Sequence, residues 1–157
     1  MATATDDRVL TISRVIATSP EKLFDAWTRP DIMLKWWGPE GASIGQHEFD
    51  VRVGGAWLTA LVNSMGGGTN TCSGVYQVIE RPRRLTFTWA WTQPDGSRGH
   101  ETVVDVSFEK VERGTLMTIV QKTFENAQQR DMHSWGWGAT LVKLERMFEQ
   151  PSPEVSS

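Results

Sequence analysis

The chain has 157 residues, a net charge of −3 and a single cysteine. That length suits one domain able to bury roughly 69% of its unfolded surface, and 39% hydrophobic with 22% charged residues reads as globular rather than disordered. The mild acidity gives no reason to expect nucleic acid or an anionic membrane as a main partner, and Cys72 alone rules out an internal disulfide or a cysteine-rich zinc site.

Met1 to Asp7 is small and polar, with neither the basic start nor the apolar run of a secretory signal. No stretch approaches the roughly 18 apolar residues of a membrane helix. Residues 1–7 and the Pro/Ser-rich tail 150–157 are expected to be disordered, around one domain at 8–149. A cytoplasmic location and no membrane insertion follow as expectations. Arg8 to Ala17 reads as a strand from its β-branched content. Ser19-Pro20-Glu21 opens a helix with a capping hydroxyl, a proline in the first turn and an acid at the positive end of the dipole. Leu23, Phe24 and Trp27 form its apolar face. Pro30-Asp31 opens a second short helix that carries Ile32, Met33, Trp36 and Trp37 and stops at Gly38-Pro39.

From Ser43 to Phe124 the pattern changes to strands separated by turn residues. Strands are expected at Ser43–Val53, Ala56–Asn63, Thr71–Glu80, Leu85–Thr92, His100–Lys110 and Thr115–Phe124. Gly54-Gly55, Gly66-Gly67-Gly68, Arg81-Pro82, Pro94-Asp95-Gly96 and Arg113-Gly114 mark the joins. On the fourth of these strands Leu85, Phe87, Trp89 and Trp91 alternate with Thr86, Thr88 and Ala90. Asn126 then caps a long helix, with Gln129 at capping-box spacing. Its stripe is Trp137, Leu141, Leu144 and Phe148, stepping by four, three and four. Gly136 and Gly138 are costly inside a helix, about 1 kcal/mol each. Either the regular helix starts near them, or something packs close to its backbone there. The order is strand, two short helices, six strands and a long helix. That is an α+β class: a curved antiparallel sheet wrapped around the only helix long enough to cover it, with a cavity near the helix's N-terminal half.

This order resembles the helix-grip fold of the START and birch-pollen-allergen (SRPBCC) superfamily. More closely it resembles the branch named for the C-terminal domain of the activator of the ninety-kilodalton heat-shock-protein ATPase. The residues that carry the likeness are Ser19-Pro20-Glu21-Lys22-Leu23-Phe24-Asp25-Ala26-Trp27, Trp36-Trp37-Gly38-Pro39 and Asp50-Val51-Arg52-Val53-Gly54-Gly55-Ala56-Trp57. Gly74-Val75-Tyr76-Gln77-Val78-Ile79, Arg84-Leu85-Thr86-Phe87-Thr88-Trp89, Gly114-Thr115 and Gly136-Trp137 extend it over nearly the whole domain. The resemblance implies a small-molecule or lipid-like binding protein. The eukaryotic activator carries a further domain for which this chain has no room, so chaperone binding is not expected to carry over from the name.

The compositional oddity is tryptophan, eight residues against one tyrosine. In a grip fold, Trp36, Trp37, Trp57, Trp89, Trp91 and Trp137 converge on the space between sheet and helix. They either line a cavity or fill it as core. Trp27 reads as helix-to-sheet packing, and Trp135 has no assigned place. His47 shares strand parity with Phe49 and Val51 and is expected to point inward, while His133 lies near the cavity mouth. Met117 is expected to reach the cavity with Gln121 as its polar neighbour, and Leu141, on the helical stripe, is expected to line it too. Cys72, mid-strand, reads as a small buried hydrophobe. No histidine spacing suits a metal, and no nucleotide or hydrolase motif is present, so neither metal nor cofactor is expected. The preferred function is binding of a small apolar or aromatic molecule. The alternatives are a cyclase- or hydrolase-type enzyme using an inward histidine or acid, and an interaction module for a chaperone ATPase. A homodimer is the default if the chain associates.

Overall fold

The computed structural model describes residues 8–38, 42–63 and 68–149, with the side chain of Asn63 left out. The expectations for 1–7, 150–157, Pro39 and Gly66-Gly67 therefore lie outside the described residues. β1 (Val9–Ile16) leads into α1 (Pro20–Thr28), where the Ser19 hydroxyl accepts the Lys22 N–H at 3.2 Å. Arg29 separates α1 from α2 (Pro30–Met33). Six strands follow: β2 (Ala42–Phe49), β3 (Ala56–Asn63), β4 (Thr69–Glu80), β5 (Arg84–Trp91), β6 (Thr102–Val111) and β7 (Gly114–Lys122). α3 (Ala127–Phe148) closes the described chain, capped by the Asn126 side chain, which accepts the Gln129 N–H at 2.9 Å.

The strands form one antiparallel sheet in the order β1-β7-β6-β5-β4-β3-β2. β2 to β7 run as a meander, and β1 returns to pair with β7. This curved sheet with its long C-terminal helix is the helix-grip arrangement.

The second strand is shorter than its β-branched run suggests. It ends at Phe49, and Asp50 to Gly55 make a tight reversal in which Gly55 N–H reaches the Arg52 carbonyl at 2.8 Å. Gly54 takes φ +87°, and a Cβ on Gly55 would stand 2.0 Å from the Asp50 carbonyl oxygen. Arg52 folds back onto the Asp50 carboxylate at 2.9 Å, outside the sheet. On β5 both faces are buried up to Thr88: Thr86 donates to Asp105 at 3.0 Å, and Thr88 accepts the Val75 N–H at 2.9 Å.

Trp27 is the centre of the core. Its ring lies 4.9 Å from Trp36, 6.4 Å from Phe87 and 5.8 Å from Trp137, all within packing range. α1 and α2 thus plug the sheet's concave side with aromatic mass. α3 approaches the sheet most closely at β1, where Arg14 and Glu145 stand 3.7 Å apart. Its N-terminal half is tied down differently. The Trp137 indole donates to Gln121 Oε1 at 2.8 Å, Gln121 Nε2 donates to Thr102 Oγ1 at 2.8 Å, and Thr102 donates to the Trp89 carbonyl at 3.1 Å.

The two helical glycines meet neither expectation. α3 runs straight through them, and a Cβ on Gly136 or Gly138 would meet nothing within 4 Å. The opposite holds for Gly74. A Cβ there would lie 1.7 Å from the Thr88 carbonyl oxygen and 2.6 Å from Trp57 Nε1, across the 3.1 Å bond between those two groups. Gly74→Ala must displace that indole or part β4 from β5. It should cost about 3 kcal/mol or more in urea unfolding; a loss under about 0.5 kcal/mol would show that the approach is looser than described.

Candidate functional site

Because α3 is anchored low at β1 and held by one side chain at β7, an open recess of about 460 Å³ remains between its N-terminal half and strands β2 to β5. Trp89 and Trp91, two residues apart on β5, turn the same way and lie 5.1 Å apart. His133 from α3 stands edge-on to Trp89 at 4.3 Å and lies 5.0 Å from Phe124. One turn later Trp137 reaches within 6.1 Å of Trp89 and 5.8 Å of Trp37. Trp37, on the turn after α2, donates to Thr59 Oγ1 at 3.1 Å and has its carbonyl held by Lys143 at 3.4 Å.

Of the candidates, Trp37, Trp89, Trp91, His133 and Trp137 line the recess. The other candidates lie elsewhere. Trp36 is fully buried and donates to the Ala26 carbonyl at 2.9 Å: adjacent residues on a tight turn point in different directions, so only Trp37 faces the recess. Trp57 donates to the Thr88 carbonyl and borders a crevice with Trp27 and Tyr76 that leaves no space for a water molecule. Met117 and Leu141 are fully buried core residues, and Gln121 stands behind Trp137 as its acceptor. His47 does not line the recess. It keeps the parity of Phe49 and sits opposite Thr59, but β2 is the edge strand of the sheet, and the exposed ring meets the Gly45 carbonyl at 3.0 Å through Nδ1.

Residues not anticipated also contribute. Gln129, Met132, Gly136 and Thr140 share the lining with His133 and Trp137. Their spacing of 3, 1, 3, 1 and 3 is one helical face, so the stripe seen from Trp137 onward could have been extended backwards. Leu61, Asn70 and the exposed Trp135 complete the wall and rim. A smaller recess of about 190 Å³ shares Trp89, Trp91, Gln129 and His133 and adds His100 and Glu125.

Among the described residues lining the main recess, His133 is the one with an ionisable side chain. The Trp91 indole donates to its Nε2 at 3.2 Å, so the ring proton resides on Nδ1, which is buried without an acceptor. Burial lowers its pKa from 6.5 to about 4, and the ring is neutral at pH 7. Trp89 Nε1 and Trp27 Nε1 are likewise buried without an acceptor. The Cys72 thiol is held protonated, its pKa raised by burial to about 11. Thr59 lies against its Sγ at 3.2 Å. It is a core hydrophobe, not a nucleophile.

A model of the family described as Activator of Hsp90 ATPase homolog 1-like protein matches residues 17–149, and the chain belongs to that family. The crystal structure of the AHSA1 protein from Silicibacter pomeroyi is similar at 30% identity over 88% of this chain and 96% of that one, with a TM-score of 0.82. A protein of Chromobacterium violaceum shares the fold at 23% identity and TM-score 0.83, over 92% of this chain and 99% of that one. Another, from Mycobacterium smegmatis, does so at 16% identity and TM-score 0.79, over 92% and 93%. No curated protein matches the chain.

The neutral His133 fixes the sign of one pH effect. Between about pH 6.5 and pH 4 the unfolded chain takes up a proton that the native ring refuses. Stability is therefore fully present above pH 6.5 and falls as the pH drops through that window, by on the order of 3 kcal/mol from this group. His133→Gln retains an acceptor for Trp91 and does not titrate. Urea unfolding from pH 7 to pH 4 should show a smaller loss in that variant by about this amount; parallel curves would mean that the native ring protonates freely.

Proposed function

We propose that this member of the family binds a small, flat, uncharged hydrophobic molecule in the recess between β5 and the N-terminal half of α3. The observation that carries the reading is the convergence of four indoles, from three separate parts of the chain, on the wall of one open volume. Ligand pockets of about 300–1,000 Å³ with apolar walls and a few polar groups are the usual form of such a site. Indole faces stack on planar rings, and their quadrupoles favour offset or edge-on partners over flexible chains. A charged ligand would lose its hydration with no opposite charge on the wall to replace it. The side-chain amides of Asn70 and Gln129 can orient one polar substituent. His133 is held neutral with its Nε2 already bonded, which supports binding without acid–base chemistry.

The absence of a side chain at Gly136 keeps part of this volume open, because a Cβ there would meet nothing within 4 Å. Gly136→Leu should therefore fill the recess without straining the helix. It should gain up to about 1 kcal/mol of stability from helix propensity. Titration with 1-naphthol, followed by tryptophan fluorescence, should saturate in the parent protein and weaken at least about tenfold in both Gly136→Leu and Trp89→Ala. Equal affinity in Gly136→Leu would place any binding elsewhere. No spectral response in the parent to naphthol, indole or biphenyl would contradict the reading itself.

A further inference from the structure

The side of α3 that borders the mouth of the recess carries an anomalous apolar stripe. Met132, Trp135 and Val142 are 58%, 72% and 40% exposed, and they are half of the large exposed hydrophobics on the described surface. Their spacing, three and then seven residues, puts them on one side of the helix. Ala139 lies between them on the same side, and Gly138 flanks it with open space beyond its Cα. A tryptophan so exposed on a helix that already buries another face marks a surface made to be covered.

The geometry points to a second copy of this chain as the cover, docked through α3 against α3 about a two-fold axis. The arrangement of residues is self-complementary about the midpoint between Gly138 and Ala139. In an antiparallel pair centred there, Gly138 of one copy meets Ala139 of the other, Trp135 lies on Val142, and Asp131 faces Arg146. Small residues at the centre let two helix backbones approach closely, with the shallow crossing typical of antiparallel pairs. Large residues one turn out on each side then fill the flanks. The outer charges are opposite in sign where they meet. Asp131, at 68% side-chain exposure, already holds Arg130 of its own helix at 2.9 Å and has its other side open to a partner. A two-fold interface repeats each contact, so one favourable pairing counts twice. The mixed charges around the stripe suit this occupant better than an anionic lipid surface. Met132 and Trp135 also stand on the rim of the recess, so the same contact would wall one side of its mouth. The inference does not depend on whether a ligand occupies the recess.

The test is sedimentation velocity over a dilution series of the whole chain, with far-ultraviolet circular dichroism as the check on folding. The parent protein should sediment as a dimer that dissociates on dilution, and Trp135→Glu as a monomer. Asp131→Arg sets arginine against Arg146 on both sides of the axis and should weaken the dimer by about tenfold or more. Arg146→Asp should do the same against Asp131, and the double exchange Asp131→Arg/Arg146→Asp should restore the parent's affinity. A parent protein that is monomeric throughout, or a Trp135→Glu dimer as tight as the parent's, would overturn the interface. Failure of the double exchange to restore what each single exchange loses would overturn the antiparallel register.

Discussion

A buried indole N–H is costly without an acceptor, and although Trp27 and Trp89 have none, the architecture follows from where Trp36, Trp37, Trp57, Trp91 and Trp137 find theirs. Trp36 finds the carbonyl of Ala26, and Trp57 that of Thr88, so α1 is tied to the turn after α2, and β3 to β5 across β4. Trp137 finds Gln121, which passes the bond on through Thr102 to the Trp89 carbonyl. That chain tethers α3 to the sheet at its N-terminal half, together with the Trp91–His133 bond. A side-chain amide reaching out from β7 holds the helix at a distance that a direct apolar contact would not. The recess is the space left by that spacing.

The same constraint sets the chemistry of the recess. Trp91 takes its acceptor from His133, which commits the ring to one neutral tautomer and keeps ionised groups off the wall. Thr59 accepts the Trp37 indole and also contacts the Cys72 thiol, so the polar atoms behind the wall bond to one another rather than to the space in front. What faces the opening is ring surface and a few neutral amides. In the binding role proposed for it, such a wall would select by shape and by the cost of dehydrating a charge. Fold and site are linked here: the donors that stabilise the sheet–helix junction are those that aim the rings.

Much of this was legible in the sequence. Period-two runs gave six strands and their order, and the caps Ser19 and Asn126 marked helix starts that the structure keeps. What was not legible depends on local backbone geometry. His47 keeps the parity of Phe49 and sits opposite the buried Thr59, but it lies on the edge strand with its ring exposed, which parity alone does not tell. Trp36 and Trp37 are chemically identical neighbours, and only the turn that carries them decides which one is core. The glycines of α3 look like sites of close packing in sequence, yet they border open space. The face of Gln129, Met132, Gly136 and Thr140 was present as helical spacing but is masked by mixed polarity, because one edge of it meets a recess rather than a core.

The central claim is that ring surface from four particular tryptophans, and not the aromatic core behind it, meets a ligand. The indole N–H resonances of the uniformly nitrogen-15-labelled protein report on each tryptophan separately. On titration with 1-naphthol, the signals of Trp37, Trp89, Trp91 and Trp137 should shift in proportion to saturation, while those of Trp27, Trp36 and Trp57 stay in place. Uniform small shifts across all the indoles, or movement confined to the core three, would contradict it.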